Sequence, residues 1–153
     1  QGDMKVKVVA PLTITSTDAL DFGTIYSPAG QSGQVTVYPA DLNAAEVVGG
    51  VSWLDQTTVA PAAFEIDGNP NSNFNFIAPA TGTVTSTAGD TINVGTFMSS
   101  CLSTGNIDGA NSSGTLSAAD GKDTCEVGAT LQVPANVKPG DYTGTFVVEV
   151  AYQ

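Results

Sequence analysis

Between residues 142 and 152 the chain alternates strictly. Tyr142, Gly144, Phe146, Val148, Val150 and Tyr152 share one parity, and Thr143, Thr145, Glu149 and Gln153 dominate the other. This period of two predicts a half-buried β-strand. Residues 4–14 predict a second one: Met4, Val6, Val8, Ala10, Leu12 and Ile14 are all apolar, and Lys5, Lys7 and Thr13 stand among the positions facing the other way. A terminal strand with an unbroken apolar face is an aggregation hazard unless it is paired. How these two ends are paired is therefore expected to be the function.

The interior repeats the pattern in short pieces. Residues 20–26 and 34–38 alternate, with a turn over 28–33 between them, and further strands are predicted over 46–53, 63–67, 74–78, 83–87, 91–97 and 125–133. Clusters of Gly, Pro, Asn and Asp separate them, and no stretch keeps apolar residues at helical spacing for three turns. The expectation is an all-β, immunoglobulin-like two-sheet sandwich in one domain. Residues 67–73 and 103–122 read as long loops.

Composition narrows the function. With 153 residues, 41% hydrophobic and 12% charged, the chain can bury a core. Its net charge of −11, from four lysines, no arginine and no histidine, would repel nucleic acid and anionic membrane surfaces. Apolar runs fall far short of the roughly 20 residues needed to span a bilayer, so no membrane insertion is expected. The chain opens on Gln1, which suggests a mature secreted form after signal-peptide removal. Cys101 and Cys125 are the only cysteines. They read as a disulfide in an oxidising compartment, worth roughly 3 kcal/mol, with two buried free thiols as the plainer alternative.

Catalytic chemistry finds few materials. Without histidine the usual general base is missing, and carboxylate pairs such as Asp120 with Asp123 lie in turn-like sequence where Asp serves the backbone. No enzyme, cofactor or metal is expected. Asp67, Asn69 and Asn71 carry the 1, 3, 5 spacing of a calcium loop, but Ser72 stands where glycine is needed and Ala78 where a bidentate Glu is required. Trp53, between apolar neighbours, reads as a core anchor before it reads as a sugar platform. Asn111-Ser112-Ser113 fits a glycosylation acceptor, a pattern short enough to arise by chance.

Pro11 divides the N-terminal segment, since proline donates no ladder hydrogen bond. The expected division is a donor arm over 1–11 and a domain over 12–153. Met4, Val6, Val8 and Leu12 would contribute about 8 kcal/mol gross if buried in a neighbour's groove, and strand addition to an open sheet edge is an established mode of recognition.

The ending Gly140-Asp141-Tyr142-Thr143-Gly144-Thr145-Phe146-Val147-Val148-Glu149-Val150-Ala151-Tyr152-Gln153 resembles the last strand of chaperone-usher pilins. Those subunits carry a penultimate tyrosine and a glycine fourteenth from the end, the places of Tyr152 and Gly140. Ala19-Leu20-Asp21-Phe22-Gly23-Thr24-Ile25 and Val127-Gly128-Ala129-Thr130-Leu131 are similar to a secreted bacterial domain family of unknown function related to archaic, spore-coat-type pilins. The resemblance implies a sandwich lacking its last strand, completed first by a periplasmic chaperone at an outer-membrane usher and then by the arm of the next identical subunit. Phe146, Val148, Val150 and Tyr152 would line the acceptor groove, and Met4, Val6, Val8, Ala10, Leu12 and Ile14 would supply the donor strand. The implied product is a linear or helical surface filament. One departure is that many such pilins bridge their first two strands with a disulfide, whereas both cysteines here lie mid-chain. The alternative is a self-complemented surface binding module, an adhesin whose loops recognise carbohydrate or protein.

Overall fold

Alternation becomes strand through most of the interior of the chain, but over only part of the two alternating ends: residues 1–12 and 144–148 lie outside any strand. The computed structural model describes residues 1–40, 45–107 and 109–153. Among the described residues there are thirteen strands and no helix. In chain order they are β1 (Thr13–Asp18), β2 (Thr24–Tyr26), β3 (Gly33–Val37), β4 (Glu46–Gly49), β5 (Ser52–Asp55), β6 (Ala62–Asp67), β7 (Asn73–Ile77), β8 (Gly82–Ser86), β9 (Thr91–Cys101), β10 (Asn111–Thr115), β11 (Lys122–Val133), β12 (Tyr142–Thr143) and β13 (Glu149–Tyr152).

All pairings are antiparallel. The main sheet runs β1-β6-β11-β9-β8-β12, with β3 and β4 added beside the second half of β11. Strand β11 anchors it: Cys125, Val127, Ala129, Leu131 and Val133 all pack in the core. Its first half pairs with β6, its second half with β3, and its other edge with β9. A second layer, β10-β7-β13, lies against this sheet, and β2 with β5 forms a separate ribbon. Phe74 and Phe76 of β7 are fully buried, and Phe76 meets Phe64 of β6 at 5.8 Å between ring centroids. The all-β sandwich-like architecture is thus established.

Several boundaries differ from the sequence pattern for identifiable reasons. The predicted strand over 91–97 continues to Cys101 because a bulge opposite β11 inserts one residue. Thr96 takes φ 49° there, so the buried parity changes from Ile92 and Val94 to Phe97, Ser99 and Cys101. The predicted strand over 46–53 is two strands, β4 and β5, separated at Gly50 and Val51 after Gly49 turns with φ 86°. Residues 103–122 are not one long loop, since Asn111–Thr115 pairs with β7 as β10; Asp108, within that stretch, lies outside the described residues. Of residues 67–73, only 68–72 form the turn between β6 and β7, since Asp67 ends β6 and Asn73 begins β7.

Cys101 and Cys125 stand directly opposite each other on β9 and β11 and are disulfide-bonded. Trp53 packs half-buried on the core, and its indole Nε1 donates to the Phe22 carbonyl at 2.9 Å.

Candidate strand-acceptor groove and arm

The C-terminal segment changes partner along its length. Tyr142 and Thr143 pair with β8, and Glu149–Tyr152 pairs with β7 in the other layer, so residues 144–148 cross between layers without a ladder of their own. The single predicted strand over 142–152 is therefore two short strands. Gly144 permits the crossing: its backbone lies so close to the Thr83 carbonyl that any Cβ would collide. The alternation survives throughout, because Phe146, Val148, Val150 and Tyr152 are half-buried against the core while Thr145, Val147, Glu149 and Ala151 are exposed.

Two sheet edges are left open beside this segment. Strand β13 pairs only with β7, and β1 pairs only with β6, so among the described residues each presents a free backbone edge. Over the main sheet, bounded by the end of β1 on one side and residues 144–146 on the other, lies a cavity of about 310 Å³, lined by Leu20, Phe22, Phe64, Val84, Phe97 and Phe146, with Asp18 among its walls. Phe146 sets its ring 5.4 Å from Phe97 and 6.1 Å from Phe64. Of the four C-terminal residues expected to line a groove, Phe146 faces this cavity; Val148, Val150 and Tyr152 continue along the core away from it.

At the far end Tyr152 ties the segment to the start of the domain. Its hydroxyl accepts a hydrogen bond from the Asn69 amide at 2.8 Å and donates one to the Ala10 carbonyl at 2.7 Å. Gly68 makes room, since a Cβ there would lie 2.5 Å from the Tyr152 oxygen and 3.0 Å from Leu12. Ala10 thus meets Tyr152, while further along the two segments the stretch from Asp18 to Phe22 meets Gly144 to Phe146 at the cavity. The two walls run antiparallel.

Beyond Ala10 the residues expected to form an arm separate into two groups. Met4, Val6 and Val8 are 97%, 88% and 87% exposed, and residues 1–12 join no ladder. Ala10 is also exposed, apart from its carbonyl bond. Leu12 and Ile14, in contrast, are half-buried against the chain's own core, Ile14 opposite Ile66 in β1. The predicted strand over 20–26 is shortened to β2: Leu20 and Phe22 flank the isolated Asp21–Ala60 bridge, Gly23 follows with φ 79°, and both side chains line the cavity, a place that the local pattern does not reveal.

The other polar clusters are structural. Cys101, Asp123 and Cys125 lie together, but the sulfurs are bonded to each other and the Asp123 carboxylate accepts from Ser103 N, Ser103 Oγ and Thr124 N. A disulfide offers no thiolate to a metal. Asn69 and Ser72, within the calcium-like spacing, bond each other across the turn. The displaced ionisations lie on the surface. Lys122 is raised above 10.5, first by its hydrogen bond to Glu65, and Lys138 is raised by its bond to Asp90. Asp55 is lowered by the backbone and side-chain bonds from Thr57, and Tyr38 is raised by its bond to Glu46.

No helix among the described residues is long and apolar enough to cross a membrane. No curated protein and no solved structure matches the chain. A family of domains of unknown function, DUF4402, matches residues 12–152, and the chain belongs to that family.

Proposed function

We propose that this chain is a structural subunit of a secreted bacterial surface filament, polymerised by strand donation. The arm of one copy, carrying Met4, Val6, Val8 and Ala10, fills the groove of the next, between β1 and the C-terminal segment. Leu12 and Ile14 stay with their own domain. The observation that carries this reading is that one molecule holds both an exposed alternating apolar arm and an apolar cavity bounded by β1 and residues 144–146, with the open edges of β1 and β13 beside it.

Energetics support it. Three large side chains moved from water to a groove contribute roughly 2 kcal/mol each, about 6 kcal/mol gross, and the open edges of β1 and β13 offer a new ladder on both sides. The family match begins at Leu12 and leaves the arm outside the shared domain. The resemblance of the C-terminal strand to chaperone-usher pilins adds the assembly route: transit through the periplasm with a chaperone holding the groove, then release at an outer-membrane usher. A disulfide suits that oxidising route.

The test is electron microscopy of the purified full chain, with gel electrophoresis in detergent with and without heating. Thin fibres and a heat-resistant ladder are expected, and both vanish on deletion of residues 1–10. A monomer of the full chain that forms no fibre and binds no added arm peptide would overturn the reading in favour of a self-complemented binding module.

A further inference from the structure

The chain's charges are segregated between arm and body. Asp3, Lys5 and Lys7 give residues 1–11 a side-chain balance of +1, whereas residues 12–153 hold Lys122, Lys138 and fourteen carboxylates, a balance of −12. Both body lysines are already engaged: Lys122 lies 2.8 Å from Glu65 and 3.8 Å from Asp67, and Lys138 lies 3.0 Å from Asp90. Lys5 and Lys7 are exposed and, among the described residues, form no ion pair. Among the described residues, the cationic side chains without an ion-pair partner are therefore those of the arm.

They occupy a definite face. Met4, Val6 and Val8 share one parity and Lys5 and Lys7 the other, so an arm that turns its apolar side into a groove presents both ammonium groups outward. The groove's two lips carry the opposite sign. Asp18, at the end of β1, stands among the cavity walls, and Glu149, on the open strand β13, is exposed with its side chain on the outward parity. Neighbouring strands lie about 5 Å apart, so a lysine on a strand seated between these lips, antiparallel to one wall and parallel to the other, is within reach of a carboxylate on either.

We propose that Lys5 and Lys7 are the cationic half of an electrostatic docking contact, whose other half is Asp18 and Glu149 on the groove of a second copy of this chain. The contact is what allows two strongly anionic bodies to associate. Ten extended residues reach at most about 36 Å, several times the roughly 8 Å Debye length at physiological salt. The tip of the arm therefore meets a neighbour's groove while the bodies are still screened from each other, and the local attraction steers the encounter. This inference rests on the strand-donation reading above.

The experiment compares assembly rates of the full chain by light scattering. The variant K5Q/K7Q removes the arm's charge, and K122Q/K138Q makes the same change in net charge on the body. At about 0.1 M salt the arm variant is expected to assemble at least roughly tenfold more slowly than the wild type, and the body variant within about twofold. At about 1 M salt, where the Debye length is ~3 Å, the arm variant and the wild type should converge. The charge-exchanged chain K5E/K7E/D18K/E149K should recover assembly that K5E/K7E alone lacks. Equal slowing by the arm and body variants would mean that net charge alone matters and would overturn the docking contact, leaving strand donation intact. Failure of the wild type to assemble at any salt would remove both. All substituted positions are exposed, and circular dichroism of each variant confirms the fold independently of assembly.

Discussion

Tyr152 joins three parts of the chain through one oxygen. Its hydroxyl accepts a hydrogen bond from the Asn69 amide and donates one to the Ala10 carbonyl, so Tyr152→Phe removes two bonds while keeping the ring on the core. The expected cost is about 1–2 kcal/mol, read as a lower urea midpoint, with faster hydrogen exchange at the Asn69 amide. An unchanged Asn69 amide would mean that the bond is not maintained in solution. Lys122 supplies a pH-dependent counterpart. Its ionisation is raised above 10.5 by Glu65, so its contribution is fully present below that pH and is lost as pH rises through the raised value. The small difference in urea midpoint between the wild type and Lys122→Met should therefore shrink towards zero in strong alkali. At this scale the sequence was legible in one respect and silent in another. The parity of Phe146, Val148, Val150 and Tyr152 follows from local backbone geometry and is kept even where no ladder forms. What Phe146 faces depends on Phe64 and Phe97, distant in sequence, which no local pattern reveals.

Strand β10 shows why some elements escaped a reading by alternation. Its sequence, Asn-Ser-Ser-Gly-Thr, has the composition of a loop. It is held by the β7 ladder and by Ser112, whose hydroxyl meets Ser99 Oγ at 3.0 Å, rather than by apolar side chains. The bulge at Thr96 hid the last third of β9 in the same way, by switching the buried parity within one strand. The cysteines were read correctly as a pair, and the structure adds that their bridge crosses two adjacent strands. Joining residues 24 apart in sequence restrains the unfolded chain. The double variant Cys101→Ala/Cys125→Ala should lose about 3 kcal/mol in the chain-entropy model, measured by guanidinium unfolding; a loss under about 1 kcal/mol would show that restraint of the unfolded chain counts for little here. Strand β8 offers a probe of the groove itself. A Cβ at Gly82 would meet the Phe97 ring at 3.4 Å, an ordinary contact, and Gly82 lines the cavity. Gly82→Val should raise monomer stability by roughly 0.4–1 kcal/mol, because glycine gives the unfolded chain more backbone freedom to lose, yet slow assembly by occupying space a donated side chain needs. Faster assembly with the same gain in stability would place the donated strand elsewhere.

For the whole molecule, the arm and the domain answer to different equilibria. Residues 1–9 make no ladder and, among the described residues, no hydrogen bond to the body, whose one bond to this region reaches Ala10. Deleting residues 1–9 should therefore leave the unfolding free energy of a dilute monomer unchanged within about 0.5 kcal/mol, as for surface changes away from packed features. At high concentration the two chains should part. A partner that binds the folded state alone stabilises it by RT ln(1 + [L]/Kd), about 4 kcal/mol at a thousandfold excess over Kd. In a strand-donating chain the ligand is the arm of another copy, so the urea midpoint of the full chain should rise with protein concentration. That of the truncated chain should stay flat, and adding a peptide of residues 1–10 should raise it again. A concentration-independent midpoint for the full chain, equal to that of the truncated one, would mean that the groove between β1 and β13 takes no strand from a neighbour.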